Sequence, residues 1–280
     1  MGGLTTDRQN SWNPLVLSHT ALPAPLLLSA KLLVLYWIIN KDFLSLPEPF
    51  LPFIPVFDLI KSPYLYTQFL QCAFLIFAMM LFLNRAVRLC SFMAGFIIFL
   101  CILGARDYFS NSYFFFACFL MLIGLYNNEK SLWLLRAQIA LVYFGAGLNK
   151  IFDADWLTGQ YFEFWAREIL RHSWYISLSD QFSPMLISKI ICWLAIMVEG
   201  ALAVLFTFPS LTSLAIALGI LFHTGALVFT GAPDSAAFLY AMLCSYVAFI
   251  HRPEEPSQTQ RLRHNPILYF ALAALYLVVF

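Results

Sequence analysis

The sequence predicts an all-α, polytopic transmembrane helical bundle of about eight to nine spans, with an interfacial amphipathic helix on its outer side. Three observations carry this. Of the 280 residues, 61% are hydrophobic and only 11% are charged, against roughly 25% charged residues in soluble domains, so lipid is the expected solvent and the bilayer the first expected partner. At roughly 20 residues per membrane helix, spans and turns fill the length and leave no room for a sizeable soluble domain. Apolar runs bounded by charge, Pro or Asn recur along the whole chain. A net charge of +1 supplies no basic patch, so nucleic acid is excluded as a partner.

The apolar runs lie near 21–39, 64–83, 89–104, 112–126, 132–150, 185–208, 211–231, 234–250 and 265–280. Residues 1–20 form an N-terminal segment expected in the cytoplasm, and 21–280 are expected to form one membrane domain. The first run continues from Ala21 past Lys31 to Ile39 without an A-x-A site, so it reads as a span rather than a signal peptide. Between the first two runs, 43–60 holds four prolines and reads as an apolar, non-helical segment at the interface. The stretch 160–172, "QYFEFWAREILRH", puts Tyr161, Phe162, Trp165 and Ile169 on one helical face. Glu163, Arg167 and Arg171 line the other, and Glu163–Arg167 and Glu168–His172 are i,i+4 pairs. With Trp156, Trp165 and Trp174 nearby, it predicts an interfacial helix in an aromatic belt.

Orientation follows from the cations. Alternating spans place Arg8, Arg85, Arg88, Lys130, Arg136, Arg252, Arg261 and Arg263 on one side. Lys41, Lys61, Arg106 and the 150–184 segment, whose cations are balanced by acids, fall on the other. The first side is expected to be cytoplasmic, with the N-terminus inside and Lys150 facing the periplasm or lumen. The six cysteines all lie in apolar runs without a C-x-x-C pair, which argues against a thiol relay to a quinone.

Charge inside a bilayer costs roughly 2.5–3.5 kcal/mol per residue on insertion scales, so Lys31, Lys150, Glu199 and His223 each need a partner or a function. Span 132–150 rises about 27 Å and puts Lys150 at its outer end, while His223 lies about 12 Å short of the same boundary. Both are therefore expected to face one outer cavity. Glu199 falls closer to the cytoplasmic side and Lys31 near mid-membrane, which suggests that these two pair. Two plainer readings stand beside the functional one. Lys150 is also a helix-end lysine that Asp153 at i+3 can neutralise, and His223 fits a hydrogen-bonded core histidine. The glycines at 145 and 147 leave helix surface open to a ligand or a neighbouring helix.

Residues 136–165, "RAQIALVYFGAGLNKIFDADWLTGQYFEFW", resemble the most distinctive block of the vitamin K-dependent gamma-carboxylase family. In that block a membrane helix reads roughly R-G-Q-I-x-I-V-Y-F-x-A-G-x-x-K and is followed by D-A-D-W and a glycine. Arg136, Gln138, Ile139, Val142, Tyr143, Phe144, Ala146, Gly147, Lys150, Asp153, Ala154, Asp155, Trp156 and Gly159 fit, with Phe152 as one extra residue. The Phe222-His223 pair ahead of an apolar helix is a second match. Membrane parts of this kind are called HTTM domains.

The resemblance implies chemistry on reduced vitamin K or another quinol, with O2 and CO2 as co-substrates and no metal. A membrane lysine acts as base toward the hydroquinone; oxygenation yields a strong base that takes a proton from glutamate's gamma carbon, and the carbanion takes CO2. Lys150 stands at that lysine. Asn149 stands where the family usually has a further lysine. The family's earlier Asn-His has no counterpart, since Asn111-Ser112-Tyr113 and Asn127-Asn128 occur there.

The function expected is therefore a gamma-carboxylase-like lyase that binds an isoprenoid quinone. Lys150 and His223 are its catalytic residues, and Tyr143, Gly147, Asn149, Asp153, Asp155 and Trp156 line the pocket. The family's lumenal domain is not matched, so a separately encoded soluble or membrane partner is expected to present the substrate. The rival expectation is a non-catalytic membrane partner or assembly subunit that keeps the scaffold without the chemistry. A transporter is weaker, because no inverted repeat is visible.

Overall fold

In a computed structural model, residues 22–39, 44–46, 50–126, 132–231 and 233–250 are described. Among them all regular structure is helical. The run at 265–280 and the N-terminal segment 1–20 lie outside the described residues.

The helices begin and end where the chain's own chemistry places them. Helix α1 covers Ala24–Ile39. Helix α2, Pro63–Phe82, starts on Pro63 behind Ser62, whose hydroxyl accepts from the Leu65 amide at 3.3 Å; proline at the first position and serine at the cap satisfy the open end. Helix α3 covers Val87–Gly104. Helix α4, Asn111–Gly124, is capped by Ser110 through the Tyr113 amide at 3.1 Å. Then come α5, Leu132–Ile151, α6, Ala154–Thr158, and α7, Gln160–Glu163. The latter widens into a π-helical turn over Phe164–Ile169. Helices α8, Ser173–Ser179, α9, Leu186–Thr207, α10, Thr212–Thr230, and α11, Pro233–Val247, complete the order.

Four of these are long and apolar enough to cross a membrane: α2, α3, α9, and α10 with its lead-in turn from Pro209. Helices α1, α4 and α11 are apolar but shorter. Helix α5 has 20 residues, and its Arg136, Gln138, Asn149 and Lys150 lower its hydropathy. An all-helical chain with such spans is an integral membrane protein, because helices satisfy their own backbone groups in hydrocarbon.

The described residues fall into two compact units. One comprises the residues up to Leu132 together with those from Ala236 onward. Its centre is aromatic: Tyr36 stacks on Phe116 at 4.8 Å and tilts against Tyr240 at 5.4 Å, and Trp37 is fully buried. Helices α3 and α4 meet almost backbone to backbone. A Cβ on Gly95 would stand 2.5 Å from the Ala117 carbonyl oxygen, so only glycine permits this approach. Lys31 is buried here and donates to Asn84 Oδ1 at 2.8 Å at the end of α2. The proline-rich 43–60 segment, where described, contains a 3₁₀ turn over Pro55–Leu59 and no α-helix. It exposes Leu51, Phe53, Val56 and Leu59.

The other unit is Trp133–Ser235. The 160–172 stretch is not the single amphipathic helix expected. After Glu163 the turn widens, the Leu170 amide reaches the Trp165 carbonyl at 2.9 Å, and Arg171 closes the segment at a φ of 49°. The wider turn seats Phe162 and Ala166 in one buried cluster with Tyr175 and Cys192, against Ile187, Ile191 and Phe229. Gly159 makes the approach to α9 possible: its φ is +89°, and a Cβ there would meet the Lys189 amide nitrogen at 2.6 Å. Of the two expected i,i+4 pairs, Glu163–Arg167 forms at 2.7 Å. His172 instead directs Nε2 to the Phe229 carbonyl at 2.7 Å.

Candidate functional site

Helix α5 sets Tyr143, Gly147 and Lys150 on one face, at the i, i+4, i+7 spacing that stacks side chains over one another. That face meets α9 and α10. Lys150 Nζ lies 2.8 Å from both Glu199 Oε1 and Oε2 and 3.4 Å from the Ala146 carbonyl oxygen. The lysine side chain is 18% exposed and the glutamate 8%. On the open side, the Trp156 ring stands 4.8 Å from Nζ and stacks on Tyr161 at 4.3 Å. A cation over an indole face gains electrostatically, so Trp156 covers the ammonium without neutralising it.

The ion pair lies deep within a span. Glu199 is thirteen residues from the start of α9 and eight from its end, about 20 Å and 12 Å along the axis. Helix α5 does end one residue after Lys150, yet α9 continues well past that level, flanked by α6 and α7. Lys150 is therefore level with the middle of α9, not with its end. The depth argument for a Lys31–Glu199 pair is overturned, since Glu199 gives both oxygens to Lys150 and Lys31 donates to Asn84. Asp153 does not neutralise Lys150 either; its carboxylate caps α6 through the Asp155 amide at 2.9 Å. Gly147 faces the pair: a Cβ there would stand 3.6 Å from Glu199 Cβ, an ordinary contact.

About two turns from Lys150 along α5, Tyr143 Oη and His223 Nε2 share a 2.7 Å hydrogen bond. Both side chains are buried, and the Tyr143 ring stacks on Phe206 at 6.1 Å. Through this bond α10 meets α5 at Tyr143, about two turns from the Lys150–Glu199 pair. Of the remaining candidates, Trp156 stands against Lys150, whereas Asn149, Asp153 and Asp155 are exposed. Asn149 lies on the far side of α5 from Gly147, about 200° away at 100° per residue. The member of this site that sequence reasoning placed elsewhere is Glu199. It is the only acidic residue in the 22-residue apolar helix α9, and that isolation was the available signal.

A separate polar network holds the segment after α7. Arg167 donates to Glu163 at 2.7 Å, to Ser179 Oγ at 2.7 Å and to Asp180 at 2.8 Å. The Tyr175 hydroxyl donates to Glu163. Burial works against ionisation of Glu163, but the hydrogen bonds from Tyr175 and Arg167 and the Arg167 charge outweigh it and hold its carboxyl below the ordinary range. The same burial, with the bond to Glu163, pushes the Tyr175 phenol up to about 12. Charge-assisted bonds of this kind fix geometry as well as energy.

Residues 127–252 match the family model of the HTTM domain, the membrane domain of vitamin K-dependent carboxylase-like proteins. The resemblance read from 136–165 is thereby borne out, and Tyr143, Lys150, Trp156, Glu199 and His223 all fall inside the matched stretch. No curated protein and no solved structure matches the chain.

Proposed function

Starting from an integral membrane protein that carries an HTTM domain over residues 127–252, we propose that it binds a reduced isoprenoid quinone beside Lys150. Lys150 serves as the base that activates the quinol for oxygenation coupled to carboxylation. The observation that carries the reading is an amine set deep among apolar helices, 2.8 Å from a buried carboxylate and covered by an aromatic pair. Phe144, six residues before it, and Phe152, two after it, are exposed, and an apolar surface with few polar groups suits a ring with an isoprenoid tail. The quinol, once oxygenated, supplies the strong base for carboxylation with O2 and CO2. The chain's own residues bind and orient it: Trp156 and Tyr161 offer ring faces, and the Tyr143–His223 bond fixes α5 against α10.

The rest of the reading concerns the whole chain. About eight to nine spans cross the bilayer, the N-terminus lies in the cytoplasm and the 153–185 segment faces the periplasm or lumen. A protein partner presents the group to be carboxylated. The test is oxygen uptake and labelled CO2 incorporation by purified protein supplied with vitamin K hydroquinone. Both are expected to vanish in Lys150→Ala, and equal turnover in that variant overturns the reading.

One observation favours a second reading, a non-catalytic membrane partner or assembly subunit: Lys150 is already engaged by Glu199, as in a purely structural ion pair. Quinone that co-purifies with the wild type but not with Trp156→Ala counts against it.

A further inference from the structure

The contacts of Lys150 impose a condition on any base chemistry at this site. An ammonium has three donors and no acceptor. Nζ stands 2.8 Å from each Glu199 oxygen and 3.4 Å from the Ala146 carbonyl, so three acceptors lie on the protein side for three protons. In this state Lys150 has no lone pair to offer a substrate. It becomes a base only by releasing a proton, and of its bonded neighbours only the Glu199 carboxylate can keep one. A backbone carbonyl cannot, and Trp156 offers only its ring face.

We propose that Glu199 is the final proton acceptor of this site and Lys150 the relay. The statement rests on the quinol reading above. Lys150 passes one N–H proton to a Glu199 oxygen, breaking an N–H bond and forming an O–H bond. The freed lone pair takes the proton of the substrate hydroxyl, breaking that O–H bond and forming a new N–H bond. At the end Glu199 is a neutral acid, Lys150 is again an ammonium, and the substrate oxygen is an anion beside it. One proton has moved from oxygen to oxygen, no electron has been transferred, and the net charge of pair plus substrate is zero before and after.

That neutrality is what the surroundings require. The two side chains are 18% and 8% exposed, and an uncompensated charge so buried costs several kcal/mol. A lone ammonium would be such a charge at rest; a lysine backed by a carboxylate is not. Glu199 is thus a positioning and proton-holding residue that reaches the substrate through Lys150. The other ionisable groups of this region hold contacts of their own. Tyr143 and His223 are bonded to each other, and Cys192 is packed among Phe162, Ala166 and Tyr175.

The test uses the full chain in lipid nanodiscs with menaquinol-4 added without oxygen. Two signals are followed: tryptophan fluorescence for binding, and infrared difference spectra for the C=O band of a protonated carboxyl. Wild type is expected to bind and to gain that band. Glu199→Gln, close to isosteric, is expected to bind within threefold of wild type but to lack the band. Its quinol-dependent oxygen uptake falls by about 100-fold or more, the usual worth of a positioned proton acceptor. Glu199→Asp restores the band and part of the uptake. Wild-type binding without the band, or a band that persists in Glu199→Gln, overturns the relay while leaving the quinol reading intact. Absence of binding by the wild type overturns both. Should Glu199→Gln not fold, Glu199→Asp decides: a quinol-induced band at a shifted frequency assigns it to this carboxyl, and a band unmoved from the wild-type position overturns the proposal.

Discussion

Tyr143 of α5 and His223 of α10 are joined by a 2.7 Å hydrogen bond between two buried side chains. Tyr143→Phe removes the bond but keeps the ring against Phe206. The expected cost is about 1 kcal/mol, the usual net worth of one hydrogen bond. Tyr143→Ala also empties the ring's volume and should cost about 3–5 kcal/mol. Thermal unfolding in detergent distinguishes the two, and equal losses would show that the hydroxyl, not the packing, holds these helices.

Lys150 and Glu199 should fail together more gently than apart. Removing one partner of a buried pair leaves a stranded charge and costs about 3–5 kcal/mol, whereas replacing both with apolar groups of similar size is often neutral. Lys150→Met and Glu199→Leu are therefore each expected to lower the melting temperature. The double variant is expected to recover most of it. Additive losses would mean that the pair is more strongly hydrated than its 18% and 8% exposure indicates.

Two glycines make a matched contrast. At Gly159 the φ of +89° and the Lys189 amide at 2.6 Å from a would-be Cβ leave alanine no room. The left-handed conformation alone costs a side chain about 1–2 kcal/mol, so Gly159→Ala should destabilise by at least that. At Gly147 the nearest atom is 3.6 Å away, and alanine is the better helix former by about 1 kcal/mol. Gly147→Ala should be neutral or stabilising. Melting temperatures of the two variants in one detergent suffice.

Acid should loosen the segment that follows α7. The Glu163 carboxyl is held below its ordinary value in the folded chain. Its contribution is therefore fully present above the unfolded value of about 4.3 and is lost as pH falls through the lower folded value. The melting-temperature gap between wild type and Glu163→Gln should be constant from pH 7 to about pH 5 and close below pH 4. A gap that widens on acidification would reverse the sign of the argument.

Much of the helix pattern was legible in the sequence because apolar runs and caps are local signals. The run at 132–150 became Leu132–Ile151, and that at 211–231 became Thr212–Thr230. Ser62, Pro63, Ser110 and Gly231 mark ends whose chemistry can be read from one residue and its neighbours. The pairing of charges was not legible. Depth estimates from the sequence assume that helices end at common planes, which sets Lys150 at the outer end of its span and Glu199 closer to the cytoplasmic side. Helix α9 in fact outruns α5 at that end, and the two residues share a level. The π turn at 164–169 escaped for a related reason. A period of 3.6 fits "QYFEFWAREILRH" well, and only the packing of Ala166 against Cys192 and Tyr175 asks for a wider turn. His223 is buried and hydrogen-bonded, but nothing local in the sequence points to Tyr143, 80 positions away.

The place of the Lys150–Glu199 pair beside α9 and α10, two helices long and apolar enough to cross a membrane, has a consequence for how affinity is reckoned. On the quinol reading, a ligand with an isoprenoid tail partitions into the acyl chains before it meets the amine. Its effective concentration is moles per volume of lipid. Each methylene in its tail adds about 0.8 kcal/mol of partitioning without touching the protein. Apparent dissociation constants will therefore scale with the lipid-to-protein ratio, and ligands with different tails can be ranked fairly only per unit of membrane.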